Sequence, residues 1–229
     1  MSMFFLLQTN VSDGAVSEEA SEMTLSLLEL AMKGGWIMIP IGVLSIMAVY
    51  IFVERYFAIK RASKKDVNFM NSIKEYISDG KVDSAIALCK SANSPIATMM
   101  EKGISRLGRS LSDVNTAIEN VGKQEVAKLE KGLPTMATIA GGAPMIGFLG
   151  TVMGMIEAFY NMSMAGNNID VGHLSSGIYT AMVTTVAGLI VGIIAYFAYN
   201  ILVARVEKVV GILEASTTEF MDLLNEPVS

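Results

Sequence analysis

The 229-residue chain holds one cysteine and one histidine. The lone cysteine, Cys89, excludes an intrachain disulfide, and the lone histidine, His173, leaves nothing from which to build a His-based triad or a histidine metal cluster. Neither GxxxxGKS/T nor GxGxxG occurs, so no phosphate-binding loop is encoded and energy from nucleotide hydrolysis has to come from elsewhere. No useful length of sequence alternates at the strand period. Only 17% of residues are charged, and a net charge of -5 argues against nucleic acid as a partner. Nothing calls for a cofactor, a metal or a catalytic site. What is abundant is apolar surface: 52% hydrophobic residues and a mean hydropathy of +0.49, too apolar for an average soluble domain.

Three stretches carry no Asp, Glu, Lys or Arg: residues 34–53, 132–156 and 171–204. Each is long enough for the ~20 residues that cross a bilayer, and the third is longer than one crossing needs, so it is expected to tilt or to run on as helix into water. Of 17 Lys and Arg, only Lys33 precedes the first stretch, whereas Arg55, Lys60, Arg61, Lys64 and Lys65 follow it directly. The connection after the second stretch has no Lys or Arg, and Arg205 and Lys208 flank the exit of the third. The positive-inside rule then places the N-terminus outside and the C-terminus in the cytoplasm. The expected plan has an outer acidic tail and interfacial helix (1–33), transmembrane helices at 34–57, 134–160 and 173–204, a cytoplasmic helical region (58–133), a short outer loop (161–172) and a cytoplasmic C-terminal helix (205–229). The class is an all-α membrane protein. The Met3–Leu7 apolar run is too short for a signal-peptide core. Trp36, Tyr50, Tyr56 and Tyr160 fit interface anchors.

Between the first two spans the sequence predicts helices over residues 66–78 and 83–91, divided by the Asp79-Gly80 turn signal, and a third opened by a Ser110-x-x-Asp113 capping box. With no strong breaker between Asp113 and Lys131, that helix is expected to continue through Pro134 into the second span as one rod. Pro134 and Pro144 would each then remove a backbone hydrogen bond. About 75 residues in short helices offer little core, so they are expected to extend the membrane helices and pack between subunits.

The second and third spans are unusual in their small and hydroxylated residues. Gly147, Gly150 and Gly154 make one face, and Gly188 and Gly192 repeat the GxxxG spacing; their ordinary role is close helix packing. Ser176, Thr180 and Thr184 recur every fourth residue, Thr185 lies about 100° round the helix, and Thr151 sits among the glycines. A single membrane threonine ordinarily bonds the carbonyl four residues back in its own helix. Four hydroxyls on neighbouring faces, plus Thr151, suit a wet lumen or a polar partner helix. Glu157 lies 23 residues after Pro134, about 35 Å along a helix, at the outer boundary; it is a solvated interfacial glutamate or a group at which protons enter, as is His173 across the short outer loop.

The pattern Ala143-Pro144-x-x-Gly147-x-x-Gly150-Thr151-Val152-x-Gly154, followed by Gly177-Ile178-x-x-Ala181-x-x-x-Thr185-x-x-Gly188-Leu189 and Tyr199-Asn200, resembles the MotA/TolQ/ExbB proton-channel family. The three-span, N-out plan is similar to the ExbB and TolQ branch, and the acidic outer segment favours ExbB. The resemblance implies a homopentamer whose pore is lined by the second and third spans. It further implies a dimer of an ExbD-like or TolR-like single-span partner bearing a proton-carrying aspartate, and a TonB-like protein that takes the work to the outer membrane. Thr151 and Thr185 fall on the family's pore-lining threonines, while Thr180 stands where the family carries a glutamate. Two other readings stay open: a stand-alone channel or carrier, and a passive scaffold in which the threonines only pack.

Overall fold

A computed structural model describes residues 34–63, 67–164 and 171–225. The acidic tail and interfacial helix expected over 1–33, and most of the expected outer loop, lie outside the described residues. Seven helices make up what is described: α1 (Met38–Ala62), α2 (Val67–Ser78), α3 (Val82–Ala92), α4 (Pro95–Ile104), α5 (Leu111–Glu130), α6 (Leu133–Met164) and α7 (Val171–Asn225). No strand occurs among these residues. The protein is an all-α membrane protein: α1, α6 and α7 are each long and apolar enough to cross a bilayer.

The local signals act as their chemistry dictates. Gly80 takes φ +71° in the turn between α2 and α3. Asn93, left-handed at φ 42°, ends α3, and the Ser94 hydroxyl accepts from the Ala97 amide to open α4 with Pro95 in its first turn. The Ser110 hydroxyl accepts from the Asp113 amide at 3.2 Å and opens α5. The rod expected from α5 into the second span is broken. Lys131 is non-helical, and Gly132 adopts φ +88°, a conformation that strains any residue bearing a Cβ. Pro134 consequently falls in the first turn of α6, where its missing N–H has no intrahelical partner to lose. Pro144 alone is interior.

The chain forms two compact units, and α1, α6 and α7 each contribute residues to both. The described part of the first unit comprises residues 34–41, 145–164 and 171–188. The second holds the described residues of 42–144 and 189–225. It has a core of its own, more than the little core expected of these short helices. Ile73, Ala85, Ala97, Met100, Ile104, Ile118 and Met136 are all fully enclosed. The reason is α7, which continues as one helix through Asn225 and supplies a seam to the bundle. Leu202, Val206, Val209, Leu213, Ser216 and Phe220 recur at alternating four- and three-residue steps, and all are buried. At 55 residues the helix is about 80 Å long, far more than a bilayer requires.

Polar contacts pin the bundle where its helices meet. Arg55 pairs with Glu54 and donates to the Lys128 carbonyl at 2.9 Å, satisfying an acceptor near the end of α5. The Arg205 guanidinium stacks 4.3 Å from the centroid of Tyr56, which gives Tyr56 a packing role beyond that of interface anchor. Cys89 is buried, and desolvation, helped by the nearby Glu101 charge, pushes its thiol up to about 12. It acts as a small apolar core residue.

Candidate functional site

In the first unit α6 and α7 meet through residues too small to hold them apart. A Cβ added to Gly147 would lie 2.8 Å from the Thr184 carbonyl oxygen and 3.2 Å from the Cα atoms of Thr185 and Gly188. One added to Gly154 would lie 3.0 Å from the Ala181 Cβ, and one added to Gly177 would lie 2.9 Å from the Ala158 Cβ. Gly150 faces the Thr184 side chain. Residues ascending α6 meet residues descending α7, so the two helices run antiparallel. In the second unit Gly192 lies against the Pro144 ring, with the Ala140 carbonyl 3.0 Å from where its Cβ would be. Of the five glycines singled out from the sequence, Gly147, Gly154, Gly188 and Gly192 thus sit at backbone contacts, and Gly150 faces a side chain.

That approach brings the hydroxyls of one helix to the carbonyls of the other. Thr151 Oγ1 donates to the Ala181 carbonyl at 3.0 Å, and Thr185 Oγ1 lies 3.1 Å from the Gly147 carbonyl as its donor. Gly147 is four residues before Thr151, and Ala181 is four before Thr185. Each threonine therefore serves the carbonyl that the other would ordinarily bond. The two hydroxyls are also hydrogen-bond neighbours of each other, so at any moment their two protons serve two of these three contacts. This reciprocal exchange is unlike the usual back-bond within one helix. Thr184 comes nearer that habit: its hydroxyl donates to the Ala181 carbonyl three residues back at 2.8 Å, with the Gly147 carbonyl at 3.4 Å.

The remaining candidates are not gathered in this cluster. Thr184 is 1% exposed and enclosed within the unit, whereas Thr180, one turn away, is half-buried on a groove of about 430 Å³. That groove also takes in Gly34, Trp36, Glu157, Tyr160 and Thr184. Glu157 and Ser176 are exposed. His173 lies in α7, but its side chain is outside the described residues. Sequence reasoning missed Ala158, whose signal is only its size, gave Gly177 a place in the pattern but no packing role, and missed the carbonyls of Gly147 and Ala181, which side-chain chemistry does not reveal. Among the described residues no group of three His, Cys, Asp or Glu side chains could hold a metal ion.

A polytopic helical membrane protein, with a hydroxyl pair locked between two glycine-lined spans, is the class that fold and site define. The model of the MotA/TolQ/ExbB proton channel family matches residues 91–215, which include both spans and the whole hydroxyl cluster. The chain belongs to that family. It is 27% identical over 190 residues to a putative biopolymer transport protein ExbB homolog of Methanothermobacter thermautotrophicus, covering 82% of this chain and 67% of the relative. An ExbB-like protein of Synechocystis is 27% identical over 183 residues, or 79% of this chain and 72% of its own length. The Tol-Pal system protein TolQ of Pseudomonas aeruginosa is 32% identical over 105 residues, or 46% of this chain and 45% of its own.

Proposed function

We propose that this chain is the pore-wall subunit of a proton-motive-force-driven motor of the ExbB-ExbD type, energising TonB-dependent transport across an outer membrane. The observation that carries the reading is the reciprocal Thr151–Thr185 pair, which places two hydroxyls between closely packed spans where lipid-facing helices have no need of them. The chain would assemble as a homopentamer in the bacterial inner membrane, N-terminus periplasmic and C-terminus cytoplasmic, around a dimer of an ExbD-like or TolR-like single-span protein. Thr151 and Thr185 would solvate the carboxyl group of that partner as it takes up and releases protons. Ser176, Thr180 and Glu157 would border the outer approach, with His173 at its mouth. Thr184, enclosed within the subunit, would not face the lumen itself. Flow of protons is worth ~2.3 kcal/mol per charge per 100 mV, enough to bias a bistable arrangement of packed helices.

A Thr185→Ala variant, assembled with an ExbD-like or TolR-like single-span protein, tests this directly. Energised transport should fall while native mass still reports an intact complex of five copies. Undiminished transport would remove Thr185 from the mechanism, and a different copy number would remove the pentamer. A TolQ-like role is the second reading, supported by the likeness to TolQ over a shorter aligned stretch. Deleting the gene separates the two: lost TonB-dependent uptake marks an ExbB role, and a leaky outer envelope marks a TolQ role.

A further inference from the structure

Two carbonyls and three hydroxyls make a closed set between α6 and α7. The Ala181 carbonyl is within reach of Thr151 and Thr184, and the Gly147 carbonyl is within reach of Thr185 and Thr184. A hydroxyl has one proton to donate. Because Thr151 and Thr185 bond to each other, one of them donates to its neighbour and withholds its proton from a carbonyl. Two arrangements cover both carbonyls. In the first, Thr185 donates to Thr151, Thr151 to the Ala181 carbonyl, and Thr184 to the Gly147 carbonyl. In the second, Thr151 donates to Thr185, Thr185 to the Gly147 carbonyl, and Thr184 to the Ala181 carbonyl. Only Thr184 reaches both carbonyls, at 2.8 and 3.4 Å. It alone can cover whichever one the pair vacates.

We infer that Thr184 is a positioning residue whose hydroxyl swings between the Ala181 and Gly147 carbonyls, so that the Thr151–Thr185 pair can reverse its polarity at little cost. This rests on the proton-conducting function proposed above. A carboxylate needs a hydrogen-bond donor, and the carboxylic acid it becomes on protonation also needs an acceptor. A wall hydroxyl that serves both forms has to turn its O–H during each cycle. Each turn takes a proton away from a carbonyl in a medium with no water to replace it. Thr184 restores that bond from behind. Enclosed as it is, with 1% exposure, it acts through Thr151 and Thr185 and does not itself meet the passing carboxyl group.

The test uses the full chain in lipid bilayers, alone and assembled with its single-span partner. Thr184→Val keeps the shape and removes the hydroxyl, and Thr184→Ser keeps the hydroxyl and trims the methyl. Proton flux into liposomes should fall about fivefold in Thr184→Val, the worth of one hydrogen bond, and return in Thr184→Ser. Equal loss in both variants, or wild-type flux in Thr184→Val, would overturn the inference. Carbonyl ¹³C shifts of Gly147 and Ala181 give a readout that does not depend on flux. They should move in Thr184→Val towards values for a backbone partner alone and stay near wild type in Thr184→Ser; shifts unchanged in Thr184→Val would overturn the inference. Should Thr184→Val fail to assemble, Thr184→Ser decides: wild-type shifts support the swing, and displaced shifts refute it. Absence of flux from the wild-type complex would instead sink the proton-conducting reading and leave the carbonyl result standing.

Discussion

The two units pack α7 on its main neighbours in different ways. In the second unit the helices are held by what their side chains bring: the seam from Leu202 to Phe220 buries large apolar groups against the short helices. In the first they are held by what is left out, since Gly147, Gly154 and Gly177 let backbone approach backbone. Many large apolar residues there, among them Phe148, Ile156, Phe159 and Met182, are exposed. The difference follows the solvent. Between helices in lipid there is no hydrophobic gain from burying leucine, so association rests on close contact and interhelical hydrogen bonds. In water, burial itself drives association, and size is an advantage.

The strongest way to break that contrast is to cut the seam. Phe220 is fully buried, and it and Ile118 both lie against the position a Gly103 side chain would occupy. Phe220→Ala should destabilise the second unit by about 3–5 kcal/mol. Hydrogen exchange of the full chain in micelles should accelerate over α4 and α5 and remain slow at Thr151 and Thr185. Uniform acceleration would mean that the two units do not stand on separate interactions. Gly147→Ala is the counterpart in the first unit. The atoms its Cβ would meet belong to backbone and cannot move aside alone, so the cost should be about 1–3 kcal/mol. Here exchange should rise around residues 147–185, with loss of the hydroxyl pairing. A variant as stable as wild type would show that the close approach is not what holds α6 to α7.

How far these arrangements could be read in advance also divides by unit. The glycine and threonine pattern of residues 143–192 spoke plainly, because small residues and hydroxyls in lipid have few uses. The antiparallel meeting of Gly147 with Thr184 and Gly188 was not legible, since GxxxG spacing does not say which helices meet. Nor was the exchange of carbonyls between Thr151 and Thr185, which depends on register between helices far apart in sequence. In the second unit the caps at Ser94 and Ser110 are local events, and the Ser110 box was visible in the sequence. The break at Gly132 was read past, because a lone glycine between two helical patterns fits a tolerated residue as well as a turn. The bundle's core stayed hidden for another reason: one side of it, Leu202 to Phe220, lies far along the chain from the helices these residues cover.

The smallest expected effect has the opposite sign and bears on the two buried polar residues among those described, one in each unit. Thr184 and Ser216 are 1% and 2% exposed. Thr184 is within reach of two carbonyls, whereas the Ser216 hydroxyl has no hydrogen-bond partner among the described residues. A buried hydroxyl that folding strips of water without replacing its partner is a net cost. Alanine fits the same space, suits a helix better, and completes the apolar seam between Leu213 and Phe220. Ser216→Ala should therefore stabilise the second unit by about 1 kcal/mol, raising its melting temperature by roughly 2–4 °C. Thr184→Val, removing an equally buried hydroxyl, should instead lower stability, because it leaves carbonyl bonds unmade. If both changes moved stability the same way, the distinction between a hydroxyl that binds the first unit together and one that merely occupies the second would fail.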